Sequence, residues 1–74
     1  MSNKLPVLKG DEIVRVLIKL GFRPNRKRGS HLILEKNGKM TVVPIHEGRD
    51  ISKGTLLAIL KQAGISKQEL KKYL

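Results

Sequence analysis

The dipeptide Asn37-Gly38 stands between two six-residue stretches, His31–Lys36 and Lys39–Pro44, that are rich in strand-forming side chains. Asn-Gly is the strongest short-range signal for a two-residue hairpin turn, because both residues tolerate positive φ and so suit the twist of paired strands. Such a turn dictates the pairing: Lys36 faces Lys39, Leu34 faces Thr41, Leu32 faces Val43 and His31 faces Pro44. Leu32, Leu34, Thr41, Val43 and Ile45 then share one face, which reads as core. His31, Ile33, Glu35, Met40, Val42, Pro44 and His46 share the other, which is mixed and carries both histidines of the chain. On this register the two histidines lie diagonally, with backbones roughly 7–8 Å apart. A slip of one residue would separate them to opposite faces, so the turn also decides which groups can meet.

The flanking segments supply helices. Asp11 and Glu12 suit the positive end of a helix dipole, Ile13, Val16, Leu17 and Leu20 recur at helical spacing, and Gly21 can close the helix in a left-handed cap, with Phe22 folding back onto it. From Phe22 to Arg28 the alternation is broken by Pro24 and Asn25, which predicts an edge strand or an extended loop. After the hairpin, Ser52 is a candidate N-cap for a helix whose buried stripe would be Leu56, Leu57, Leu60 and Ala63, ended by Gly64. Ser66 and Glu69 have capping-box spacing and open a short last helix with apolar Leu70, Tyr73 and Leu74. The expected order is a helix, about three antiparallel strands and one or two helices. At 74 residues this is one α+β domain with a thin core, residues 1–9 forming a leader.

Sixteen Lys and Arg against six Asp and Glu give a formal net charge of +10, so polyanions are the natural partners. The basic residues are scattered over loops, a hairpin tip and two helices instead of lining one amphipathic face, which favours nucleic acid over a membrane surface. The longest unbroken apolar run is Leu56 to Leu60, the N-terminus lacks the regions of a signal peptide, and there is no cysteine; a cytoplasmic protein is the expectation. Only Phe22 and Tyr73 are aromatic, and both sit where core rings are useful. Contact with nucleic acid should therefore run through phosphate and ribose, with little stacking or base readout.

Four of the six residues from Arg23 to Arg28 are basic, and they lead straight into Gly29-Ser30-His31. Cleaving RNA needs a base for the 2′-hydroxyl proton, charge stabilisation at phosphorus and an acid for the leaving 5′-oxygen. An imidazole titrates near neutrality and can play either part, so His31 is the candidate base and His46 a candidate acid or orienting partner. Arg26, Lys27 and Arg28 could hold phosphate, Gly29 would let a backbone approach closely, and Ser30 could position phosphate by hydrogen bonding. No metal or other cofactor is expected, because Glu47 and Asp50 are the only nearby carboxylates and form no recognisable ligand motif.

Plainer readings stand beside these. A histidine at a strand entry is commonly structural, His46 after Pro44 could merely cap the hairpin end, the basic run could be a solvated edge that discourages aggregation, and Gly54 with Thr55 could let a helix pack closely. Two other functions fit the composition. A non-catalytic RNA-binding module would need the charge without His31, and Leu57 to Leu74 has the outline of a DNA-binding helix-turn-helix.

Gly29-Ser30-His31 at a strand entry, Val43-Pro44-Ile45-His46 closing the hairpin, and Lys53-Gly54-Thr55-Leu56 leading to Gln62-Ala63-Gly64-Ile65-Ser66 together resemble the HicA family of bacterial toxin endoribonucleases, also called YcfA-like. The likeness runs in order and spacing from about Gly10 to the C-terminus. It implies a three-stranded antiparallel sheet with helices on one face, similar to a double-stranded-RNA-binding domain. It also implies metal-independent cleavage of mRNA by the histidine that falls on His31, and inhibition by a HicB antitoxin. Two departures are Leu34, where relatives often carry an aromatic residue, and the leader through Lys9.

Overall fold

A computed structural model describes residues 4–74. The hairpin forms in the register dictated by its turn: β2 (His31–Lys36) and β3 (Lys39–Pro44) pair antiparallel from Lys36↔Lys39 to His31↔Pro44, with Asn37 and Gly38 at φ +50° and +82°. Strand β1 (Arg23–Arg28) adds to the free edge of β2 and completes a three-stranded antiparallel sheet with β2 central. Every residue of β1 is exposed, and the register shifts between Pro24 and Arg26, so the expected edge strand is real and carries a bulge at Asn25. That bulge absorbs the break in alternation seen in the sequence.

Helix α1 (Gly10–Lys19) precedes the sheet, and α2 (Lys53–Ala63) and α3 (Lys67–Lys72) follow it. The helices cover one face of the sheet, giving the α+β arrangement similar to a double-stranded-RNA-binding domain. α1 begins where the backbone N–H of Lys9 donates to Glu12 Oε1 at 2.9 Å. It ends with Gly21 at φ +101° and the Phe22 N–H donating to the Leu17 carbonyl, a Schellman closure that turns the Phe22 ring into the core. Ser52 caps α2 through Thr55 N–H, Gly64 ends it in the left-handed region, and Ser66 with Glu69 makes the reciprocal capping box of α3.

Leu34, Val43 and Thr41 from the sheet are fully enclosed against Ile13, Val16 and Leu17 of α1, Leu56, Ile59, Leu60 and Ala63 of α2, and Leu70 of α3. The stripe of α2 differs from expectation at one place. Ile59 is buried and Leu57 is 38% exposed, because positions 56, 59, 60 and 63 share one side of the helix while 57 lies off its flank. Thr41 satisfies its buried hydroxyl by donating to Gln62 Oε1 at 3.0 Å. Within the leader, Leu8 joins the core, its carbonyl accepts from Ile51 N–H at 2.7 Å, and the backbone of Lys9 pairs antiparallel with that of Asp50; residues 1–3 of the expected leader lie outside the described residues. No helix among the described residues is long and apolar enough to cross a membrane.

Candidate functional site

Gly29 and Ser30 make the tight turn from β1 into β2, Gly29 at φ +58°. A Cβ there would meet no atom within 4 Å, so the backbone at this corner is open to a ligand. The Ser30 carbonyl accepts from Ile45 N–H at 2.6 Å, extending the β2–β3 ladder one step beyond His31 and Pro44. This added bond holds His31 and the segment leading to His46 in one frame. Both imidazoles are exposed, with ring centroids 6.5 Å apart and planes at 79°, an edge-to-face arrangement.

The two rings line a cleft of about 370 Å³ with Pro44, Arg49, Asp50, Ile51, Ser52 and Thr55. Its far wall is the first turn of α2, whose Ser52 Oγ donates to Thr55 Oγ1 at 2.9 Å while accepting from Thr55 N–H. Helix starts present unpaired N–H groups and positive potential, which favour anions. No acidic residue lies in that first turn to oppose this. A Cβ at Gly54 would touch nothing within 4 Å, so close helix packing does not account for the glycine.

The structure brings some of the expected site residues together and separates others. Arg28 is the cross-strand partner of His31 and Arg26 of Ile33, so both lie on the histidine face. Lys27 pairs with Leu32 on the helix-bearing side and lines a separate groove with Asp11, Val14, Arg15 and Ile45. Arg49 went unnoticed in the sequence. It lines the same cleft as the histidines, in a loop turned back where Arg49 N–H donates to the His46 carbonyl at 3.0 Å, and no spacing rule announces a turn of that kind. Among the described residues, no three His, Cys, Asp or Glu side chains come together as a metal would require.

The class defined by fold and site is a small basic α+β domain similar to a double-stranded-RNA-binding domain, with two open imidazoles at a sheet corner. Residues 10–65 match the family model of the HicA toxin of bacterial toxin–antitoxin systems, and the chain belongs to that family. No curated protein matches it.

Proposed function

We propose that this toxin is an endoribonuclease that cleaves mRNA by proton transfer at His31 and His46, with no metal, and that a HicB-like antitoxin holds it inactive. The observation that carries the reading is the imidazole pair, 6.5 Å apart and open to solvent on one cleft with Arg49. His31 takes the proton of a ribose 2′-hydroxyl, and the freed oxygen attacks the adjacent phosphorus. The bond from phosphorus to the 5′-oxygen breaks, and His46 delivers a proton to that oxygen. The products are a 2′,3′-cyclic phosphate and a 5′-hydroxyl, with one proton taken and one returned. Arg28, the cross-strand partner of His31, and Arg49, which lines the same cleft, offset charge as phosphorus gains its fifth oxygen. Gly29 leaves room for the phosphate, and Ser30 holds the corner.

The antitoxin would cover the mixed sheet face, where Met40, opposite Glu35, is 48% and Val42, opposite Ile33, is 40% exposed on the side that carries His31. His31→Ala should lower cleavage of an mRNA fragment about 10²- to 10⁴-fold while leaving its binding intact. Equal cleavage by the variant and the wild type would remove the catalytic role. Loss of binding together with cleavage would favour a non-catalytic RNA-binding module.

A further inference from the structure

The basic residues of β1 are distributed by the bulge. Strict alternation would place Arg28, Arg26 and Pro24 on one face, and Lys27 and Arg23 on the other. The register instead pairs Arg28 with His31 and Arg26 with Ile33, skips Asn25, then pairs Pro24 with Leu34 and Arg23 with Glu35. Leu34 is wholly buried on the helix side, whereas His31, Ile33 and Glu35 alternate on the opposite side. The extra residue therefore exchanges Pro24 for Arg23, and three arginines stand in file on the histidine face, all exposed.

We propose that Arg28, Arg26 and Arg23 form a track that holds successive phosphates of one RNA strand leading away from His31. The proposal rests on the RNA reading above and adds how the substrate lies. Strand rise puts Arg28 and Arg26 about 7 Å apart, a step comparable with that between phosphates of an extended nucleic-acid strand. Guanidinium forks fit phosphate oxygens in two-point contacts. Phe22 is buried and Tyr73 half-buried on the helix side, so beyond the two imidazoles at its end the arginine file offers bases no Phe, Tyr or Trp ring to stack on, and the grip is tolerant of sequence. The strand is single because attack by a 2′-oxygen needs the departing 5′-oxygen directly behind phosphorus, a geometry that A-form duplex holds out of line.

The test uses the full chain and a single-stranded 2′-O-methyl RNA, which binds but cannot be cleaved, with dissociation constants measured across a salt series. Arg28→Ala, Arg26→Ala and Arg23→Ala should each weaken binding roughly fivefold and flatten the log–log salt slope by about 0.7, one phosphate contact on a single strand. Lys27→Ala, on the other face, should change affinity less than about twofold. A loss for Lys27→Ala equal to that for Arg26→Ala would mean that only total charge matters and would overturn the track, as would wild-type affinity in Arg23→Ala. Tighter binding of duplex than of single strand would also overturn it. These results leave cleavage by the wild type untouched; absence of any RNA binding would remove the RNA-cleavage reading and the track together.

Discussion

Gly10 opens α1 where the helix crosses the end of β3. A Cβ at that position would fall on the Pro44 carbonyl oxygen and lie 3.1 Å from Ile45 Cδ1. Alanine is the better helix former, but a clash with main chain cannot be relieved by a rotamer change. Gly10→Ala should therefore destabilise the fold by about 1–3 kcal/mol in urea titration, and a more stable variant would show that α1 can slide off β3. The same contact abuts Pro44, the cross-strand partner of His31, so residue-scale packing sets the position of the chemistry. The histidine positions on the sheet were legible because an Asn-Gly turn leaves one register. Arg49 was not, because a loop residue reaches its cleft through tertiary folding alone.

Lys36 joins two elements that the sequence leaves apart. Beside a hairpin turn it is an ordinary exposed lysine; in the structure its Nζ donates to the Leu20 carbonyl at 2.6 Å and stands 6.0 Å from the Phe22 ring centroid. The cation thus closes the negative end of α1 from the neighbouring strand. Lys36→Met keeps much of the aliphatic stem and removes the donor. It should lower stability by about 1 kcal/mol in thermal unfolding, and an unchanged midpoint would show that water serves the carbonyl equally well. The helix caps at Ser52 and Ser66 were readable because capping is a local hydrogen bond between residues three apart. The bulge at Asn25 was only half readable: Pro24 and Asn25 announce a broken strand, but which residue is extra depends on the partner strand.

Across the whole molecule, six acidic side chains cannot pair sixteen basic ones, and the Arg15–Asp11 contact at 3.7 Å is itself exposed. Self-repulsion in so small a body opposes compaction, and salt screens it over roughly 10 Å at 0.1 M. Raising sodium chloride from about 20 to 200 mM should raise the unfolding midpoint by several degrees while weakening RNA binding. A midpoint that falls with salt would mean that favourable ion pairs outweigh the repulsion. The opposite responses would separate the electrostatics of folding from those of recognition.

The sequence by itself determined the strand register, the face shared by His31 and His46, the capped helix ends and the strong net positive charge. Each follows from short-range rules: the period of two in a strand, the turn geometry of Asn-Gly and hydrogen bonds between near neighbours. Only the tertiary structure decided that Lys27 leaves the histidine face, that Arg23 joins it and that Arg49 lines the cleft. Those placements depend on a bulge counted against a partner strand and on a loop folded toward a sheet corner, relations between segments that no single segment encodes.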